Sequence, residues 1–337
     1  MDVMRRTTLL MGTVAAMLAL IWSAGCKQPP TPEQKKLLEA HAAPRTPLEK
    51  LKAKAKQEEQ SIKESGTNAT IEATVKLAKA YENGSEDLGL EPDYYRAAVL
   101  YKRAAAQGDA FSQNRIGVMF EIGQGLNVVR NYAKAAEWYQ MAADQGYREA
   151  ESNLAFLYEK GRGVEQNHVT AAKYYLKAAE KNEPFAQFHL GLLYELGKGV
   201  VRNDADAAKW ILLAADSGLI EAQFKAATMY ESGHGVDKDV SEALRWYERS
   251  ARQGHIDSQL KIAVLRFGGK DVKKDDVEAY KWVNIAAAMG SAKARQLRLL
   301  FSERMSKEQI DFAQKRASEF EPETVETDAA RGPDMPL

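Results

Sequence analysis

The sequence is organised around a unit that returns about every 36 residues along most of the chain. A short turn segment closes each unit, and the last residues of these segments are Gly108, Gly146, Asn182, Gly218, Gly254 and Gly290. Successive members of this series are separated by 38 residues once and by 36 residues four times. A period of this length is typical of stacked supersecondary units, each of which buries its apolar face against its neighbours. The chain is therefore expected to be an elongated array that offers a long surface for binding.

Each unit contains two helical patterns. In the first, small or apolar residues recur at helical spacing, as at Ala186, Leu190, Gly191, Leu193 and Tyr194. In the second, a bulky pair precedes a small pair, as in Trp138-Tyr139 with Ala142-Ala143 and Tyr174-Tyr175 with Ala178-Ala179. Alanine lets two helices approach closely, while the aromatic ring fills the space one turn away. The pattern predicts a series of tightly packed helix pairs.

A glycine-rich loop joins the two helices, as in Gly161 to Val164 and Gly197 to Val200. The combined pattern Ala-x-x-x-Leu-Gly-x-Leu-Tyr-Glu-x-Gly-x-Gly-Val, then Ala-Ala-x-Trp-Tyr-x-x-Ala-Ala-x-x-Gly, resembles the Sel1-like repeat. The resemblance implies an all-α fold, a right-handed α-solenoid of about six helix-turn-helix repeats related to tetratricopeptide repeats, over residues 69–290. We expect capping helices over 291–320, with a capping box at Ser306, and a disordered acidic tail over 321–337.

Composition and single residue types argue against several classes of function. The 47 Lys and Arg residues balance 47 Asp and Glu residues, so the basic stripe of a nucleic-acid-binding protein is not expected. Cys26 is the single cysteine, which excludes intramolecular disulfides and thiolate metal clusters. The histidines have no partner at ligand spacing, and the Gly-x-Gly loops lack a preceding strand. We therefore expect no catalytic residue, no metal site and no small-molecule cofactor, and we assign the loop glycines to helix capping and chain reversal.

The first 25 residues have the features of a secretory signal peptide. Arg5 and Arg6 precede an apolar stretch from residue 9 to residue 22, and small residues stand directly before Cys26. This arrangement resembles the lipobox of bacterial lipoproteins, in which the cysteine is diacylated and becomes the new N-terminus, although Ser23 stands where leucine is usual. An ordinary signal peptide and an uncleaved anchor are the alternatives.

The resemblance to lipoproteins also implies a location. Acyl chains on Cys26 would hold the protein stably on a membrane. Because Lys27 rather than aspartate follows the cysteine, the resemblance implies the outer membrane of a bacterial envelope, with the protein facing the periplasm; exposure at the cell surface is the alternative. Residues 26–47 would form a proline-rich tether, and residues 48–68 a charged helix or linker.

The residues expected to bind a partner lie in the first helix of each unit, which lines the concave groove in related solenoids. Setting the core positions aside leaves an apolar strip, and such a strip on a wet surface usually marks an interface. The candidates are Phe156, Phe188, Leu192, Phe224, Thr228, Leu260 and Val264. The alternative is that Phe188 and Phe224 wedge between adjacent units. A flanking basic edge of Arg115, Lys225 and Lys261 would steer an acidic partner or form a solvated edge.

One glutamate recurs near the end of each first helix, at Glu82, Glu121, Glu159, Glu195 and Glu231. Because it recurs with the unit itself, we expect it to be structural and to accept hydrogen bonds from backbone N–H groups of the following loop. The sequence as a whole predicts a non-catalytic scaffold or adaptor that binds a protein or peptide through its repeats. A surface-exposed factor that binds a host protein, and a cell-envelope glycan binder or enzyme, are the alternatives.

Overall fold

The computed structural model describes residues 70–125 and 129–323, together with Gln57 and Gln60. Several sequence predictions fall on other parts of the chain. The signal peptide, Cys26, the tether over 26–47 and most of the segment 48–68 lie outside the described residues, as does the tail after residue 323.

The chain divides into two compact units. One comprises residues 1–57 and 87–89, and of these Gln57 and the turn residues 87–89 are described. The other comprises residues 58–86 and 90–337 and contains all the helices discussed below.

The described part of the second unit consists of fourteen α-helices, with one isolated bridge between Ser85 and Leu90 as its extended structure. The helices are α1 Ile71–Asn83, α2 Tyr94–Ala106, α3 Ala110–Ile122, α4 Tyr132–Ala143, α5 Arg148–Lys160, α6 His168–Glu180, α7 Pro184–Leu196, α8 Asp204–Asp216, α9 Ile220–Ser232, α10 Val240–Arg252, α11 Ile256–Gly268, α12 Asp276–Ala288, α13 Ala292–Ser302 and α14 Lys307–Ser318. The first twelve form six pairs, the repeats. Within each pair the two helices pack together, and each second helix also packs on the first helix of the next pair. The predicted all-α solenoid is confirmed.

Local signals set the ends of the helices. Each second helix follows an Asp or Asn whose side chain accepts a hydrogen bond from the backbone of the first turn; these residues are Asp93, Asn131, Asn167, Asn203, Asp239 and Asp275. Five first helices end at a left-handed glycine, at Gly123, Gly161, Gly197, Gly233 and Gly269. A short polar side chain satisfies a free N–H group at a helix start, and glycine has no Cβ to clash at a helix end. The first loop glycine therefore has the capping role expected from the sequence.

The second loop glycine has a function beyond chain reversal, because it contacts the preceding repeat. A Cβ atom on Gly199 would lie 2.2 Å from the carbonyl oxygen of His168, at the start of α6. In the next repeat, a Cβ on Gly235 would lie 2.3 Å from the carbonyl oxygen of Asp204, at the start of α8. Each glycine thus lets its loop rest directly on the backbone of its neighbour, which fixes the spacing between repeats.

The core is built from alanine and large aromatic side chains. Tyr101, Tyr139, Tyr175 and Tyr247, one on each of four second helices, are fully buried. The facing positions on first helices are small: a Cβ added to Gly117 would lie 2.6 Å from the ring of Tyr139. Small and large residues thus alternate across the helix pair, as close packing requires.

Helices α13 and α14 follow the array. Helix α14 begins with the predicted capping box, in which the side chains of Ser306 and Gln309 bind each other's backbone N–H groups. Its buried residue Ala313 belongs to the same core cluster as the fifth and sixth repeats. None of the helices in the described residues is both long enough and apolar enough to cross a membrane.

Candidate functional site

A column of glutamates joins the two helices of several repeats. The tyrosine hydroxyl of the second helix donates a hydrogen bond to the carboxylate of the first, with oxygen–oxygen distances of 2.8 Å for Tyr101–Glu82, 2.6 Å for Tyr139–Glu121, 2.9 Å for Tyr175–Glu159 and 2.5 Å for Tyr247–Glu231. Burial and the neighbouring carboxylate raise the pKa of Tyr139 and Tyr175 well above the ordinary value, so these hydroxyls stay protonated. The glutamates are structural, as expected, and four of them accept a hydrogen bond from a tyrosine side chain of the second helix.

Four glutamates of the column also bind the next repeat. They receive a basic side chain from the following first helix: Arg115 contacts Glu82, His189 Nδ1 lies 2.8 Å from Glu159, Lys225 Nζ 2.7 Å from Glu195 and Lys261 Nζ 2.7 Å from Glu231. We call these pairs the junction ladder. They tie adjacent repeats together at one edge of the first-helix face.

The junction ladder corrects the predicted basic edge. Arg115 is 7% exposed and forms a buried ion pair, so it does not lie at the surface. Lys225 and Lys261 are partly exposed, but a carboxylate of the preceding repeat holds each ammonium group. Each of the three cations is thus paired with a glutamate, so these pairs add little net charge to the edge.

The pair formed by Glu159 and His189 is the most aromatic of these junctions. The His189 ring is buried, 4.1 Å from the ring of Phe185 and 5.3 Å from that of Tyr175 between centroids. Burial raises the pKa of Glu159, but hydrogen bonds and charge from His189 and Lys160 outweigh it and lower the pKa to about 2. The folded state therefore favours the ionised carboxylate.

This shift predicts a pH dependence of stability. Because the pKa of Glu159 is lower in the folded state than its ordinary value of 4.5, its contribution is complete above about pH 4.5 and is lost as the pH falls towards about 2. The free energy of unfolding of Glu159→Gln, compared with that of the parent by urea denaturation at several pH values, should therefore differ most near neutrality and least at low pH. Glu165→Gln, which changes an exposed carboxyl of the same repeat, should show no such convergence. A constant difference between Glu159→Gln and the parent would contradict the shift.

Five of the seven predicted partner-binding residues reach the surface. Val264 is 50% exposed, and Phe188, Leu192, Phe224 and Thr228 are half-buried. They lie on α7, α9 and α11, the first helices of repeats four to six. We call these five residues the apolar strip.

The other two predicted residues are buried, and their assignment is corrected. Phe156 is 2% exposed because its ring packs edge-on against Phe185, 5.8 Å between centroids, at the next junction. Leu260 is 4% exposed and belongs to the core cluster shared with the capping helices.

The two phenylalanines of the strip have contacts of the wedge type. The ring of Phe224 lies 4.7 Å from that of His255 and 5.7 Å from that of Tyr247, between centroids. Phe188 and Phe224 both pack against the core cluster of the later repeats. Each ring therefore packs partly against the neighbouring repeat and remains partly exposed to solvent. A role of these rings in binding stays a prediction.

A cleft opens beside the apolar strip. Its volume is about 720 Å³, and three predicted residues, Lys225, Thr228 and Lys261, line it. The remaining lining residues are Glu195, Met229, Glu231, Ser232, Gly233 and His234. The structure thus brings together residues of three consecutive first helices and the loop after α9.

The sequence patterns did not assign Glu195 or His234 to the site, although one signal was present. Position 211 carries isoleucine, whereas the corresponding positions 139, 175 and 247 carry tyrosine. Glu195 therefore lacks the tyrosine hydroxyl that repeats one, two, three and five supply. Its Oε1 atom lies 2.7 Å from Lys225 Nζ and 3.7 Å from His234 Nε2, both at the cleft.

Glu231, one of the two carboxylates of the cleft, is poorly suited to act as a general acid. Glycan hydrolysis needs a carboxyl group that stays protonated near neutral pH. Burial raises the pKa of Glu231, but hydrogen bonds from Lys261 and Tyr247 lower it overall, which keeps the group ionised. In the described ranges, no group of three or more His, Cys, Asp or Glu side chains is arranged to hold a metal ion.

Comparisons with known proteins identify the repeat. The family model described as "Sel1 repeat" matches six consecutive stretches, residues 71–109, 110–147, 148–183, 184–219, 220–255 and 256–291. Each stretch corresponds to one helix pair of the structure.

Solved structures share the fold. A protective antigen of uropathogenic Escherichia coli with an SLR fold is 28% identical, with a TM-score of 0.69 over 81% of this chain and 57% of that one. A Sel1 repeat protein from Oxalobacter formigenes is also 28% identical, with a TM-score of 0.60 over 74% of this chain and 97% of that one.

Among curated proteins, protein sel-1 homolog 2 of Rattus norvegicus is 38% identical over 81 residues. That alignment covers 24% of this chain and 12% of the rat protein, so the two share a stretch of repeats and little of their length. An uncharacterised protein of Neisseria meningitidis is 38% identical over 69 residues, 20% of this chain and 14% of that protein. Six matched repeats, the helix pairs that they specify and two solved neighbours with the same architecture together lead to one conclusion: the chain belongs to the Sel1 repeat family.

Proposed function

We propose that this protein is a non-catalytic scaffold of the bacterial cell envelope that binds a protein or peptide on the first-helix face of repeats four to six. Sel1 repeat proteins generally mediate protein–protein interactions. The observation that carries the proposal is the apolar strip, in which partly exposed Phe188, Leu192, Phe224 and Val264 lie on the first helices of three consecutive repeats.

The surroundings of the strip suit a peptide that is largely apolar. The junction ladder beside it pairs Lys225 with Glu195 and Lys261 with Glu231, which leaves a polar border of low net charge. An apolar centre with a satisfied polar rim is the usual composition of a protein interface. The cleft beside Thr228 then offers depth for a side chain of the partner.

The lipoprotein part of the proposal rests on the sequence. The stretch before Cys26 has the pattern of a lipoprotein signal, and a diacylated cysteine would keep the array at the outer membrane. The proline-rich residues 26–47 would give the array reach from the membrane into the periplasm. Metabolic labelling with a fatty acid tests this part independently of partner binding. The label should be incorporated into the parent but not into Cys26→Ser.

Surface display with a host protein as partner is the second candidate function. It is favoured by the 28% identity with the protective antigen of uropathogenic E. coli, because a protective antigen is a molecule that immune effectors reach. Protease treatment of intact cells distinguishes the two: digestion of the array supports surface display, and protection supports a periplasmic scaffold.

The binding face is tested by crosslinking in cells. A photo-crosslinking amino acid at position 264, which is 50% exposed, should capture a discrete protein. The double substitution Thr228→Arg and Leu192→Arg should abolish that capture, because two charges would be desolvated at the interface.

A matched control is available on the second helices of the repeats. Leu213 on α8 is 40% exposed, close to the value for Val264, but lies outside the apolar strip. A crosslinker at position 213 should capture no discrete protein, and Leu213→Arg should leave capture at position 264 intact. Capture from position 213 alone would place the interface on the second helices and contradict the proposal.

A further inference from the structure

Helix α10, the second helix of the fifth repeat, carries a row of arginines. Arg245, Arg249 and Arg252 are spaced by four and three residues, which places them on one side of the helix. The side chains of Arg245 and Arg249 are 76% and 56% exposed, and Arg252 is also exposed. The three arginines line a cleft of about 270 Å³ together with Trp246, Glu242 and Glu248. We call the three arginines the arginine face.

The guanidinium groups of the arginine face have hydrogen-bond donors that their present partners do not use. Arg245 contacts Glu242 at 2.9 Å and Arg249 lies 3.5 Å from Asp216. Exposed pairs of this kind contribute little to stability, and each guanidinium has further N–H donors. Within the described residues, no carboxylate lies at ion-pair distance from Arg252. The face can therefore accept additional carboxylates.

Trp246 lines the same cleft. Its side chain is 6% exposed, and the Arg249 guanidinium lies 4.5 Å from the ring centroid. The indole Nε1 atom is buried and has no acceptor in the part of the chain that the structure describes.

The chain itself returns to α10 after its last helix. Beyond α14, the ring of Phe320 lies 5.4 Å from that of Trp282 between centroids. The backbone N–H of Glu323 then donates a hydrogen bond to the carbonyl oxygen of Arg252, at 2.9 Å. The described part of the chain therefore ends beside the third arginine of the face.

The residues that follow in the sequence have the matching charge and reach. Glu326 and Asp328 follow Glu323, and no basic residue lies between 321 and 328. Seven residues of helix separate Arg252 from Arg245, or about 10 Å at about 1.5 Å per residue. Three to five extended residues span about 10–16 Å. The two carboxylates can therefore reach every arginine of the face.

We propose that the arginine face of α10 is the docking surface for the chain's own acidic segment, residues 324–328, through carboxylate–guanidinium pairs of Glu326 and Asp328. Such pairs are charge-assisted and often bidentate, which makes them stronger than neutral hydrogen bonds. The proposal is independent of the partner-binding proposal, since it concerns a second helix and not the apolar strip. It gives the C-terminal segment a defined place on the fifth repeat.

The test is zero-length crosslinking in the full chain with Arg249→Lys, which keeps the charge and supplies a primary amine. A carbodiimide joins an amine to a carboxylate only where the two touch, and mass spectrometry locates the product. We expect the lysine at position 249 to be joined to Glu326 or Asp328. Lys209, an exposed lysine on the preceding second helix, is the control and should be joined to these two residues several-fold less often. The product should decline at about 1 M salt, where the Debye length is about 3 Å.

Three results would overturn the proposal. The first is equal, low coupling of position 249 and Lys209 to the segment. The second is coupling between isotopically labelled and unlabelled copies in a mixture, which would assign the segment to a second molecule. The third is unchanged coupling to the segment in Glu326→Gln/Asp328→Asn, which would place the contact at other carboxyl groups.

Discussion

Replacing Gly199 with alanine is expected to lower the free energy of unfolding by about 2–5 kcal/mol. Gly199 has a φ of 72°, a conformation that costs a residue with a Cβ about 1–2 kcal/mol. The added Cβ would also lie 2.2 Å from the carbonyl oxygen of His168 and 2.3 Å from its carbonyl carbon. Both are backbone atoms, so neither can rotate away, and the loop or the start of α6 must move. Urea denaturation followed by circular dichroism measures the loss.

A second glycine separates the two causes of that loss. Gly218 has a φ of 92°, yet a Cβ there would meet nothing within 4 Å. Gly218→Ala should therefore show the backbone cost alone, about 1–2 kcal/mol. If the two variants lost the same free energy, the close approach of neighbouring repeats would contribute nothing, and the second loop glycine would not fix the spacing between repeats.

The features that the sequence predicted well are those decided within one repeat. The N-cap residue Asn167 binds the backbone three residues later, and Gly161 ends its own helix, so short-range patterns locate α5 and α6. The alanines recur at a spacing that places them on one face of a helix, and this predicted that the two helices of a repeat pack closely. Because the same pattern recurs in each repeat, the prediction applied to the whole array.

The features that the sequence did not predict depend on the next repeat. Phe156 has the spacing of a surface residue, but the ring of Phe185, about one repeat later, covers it. The tyrosine that binds Glu159 lies 16 residues away, and the histidine lies 30 residues away. Contacts at these separations follow from how repeats stack, which hydrophobic periodicity does not encode. The change from tyrosine to isoleucine at position 211 was visible in the sequence, but its effect on Glu195 follows only from the geometry.

The second large prediction concerns the junction ladder. Its pairs join equivalent positions of adjacent repeats but differ in burial. Arg115→Met should lower the free energy of unfolding by about 3–5 kcal/mol, since it leaves the Glu82 carboxylate buried without its cation. Both side chains of that pair are 9% exposed. Urea denaturation of the variant measures the loss.

The same substitution at the last position of the ladder is the control. Lys261 and Glu231 are 41% and 29% exposed, so water can solvate the carboxylate that Lys261→Met leaves behind. That variant should lose at most about 1 kcal/mol. Adding Glu82→Gln to Arg115→Met should recover part of the larger loss, because the uncompensated charge is then removed. Equal, small losses at both ends of the ladder would mean that burial does not set the strength of these pairs. A large loss in Arg115→Met with a small loss in Lys261→Met would show that burial sets how strongly a junction pair holds two repeats together.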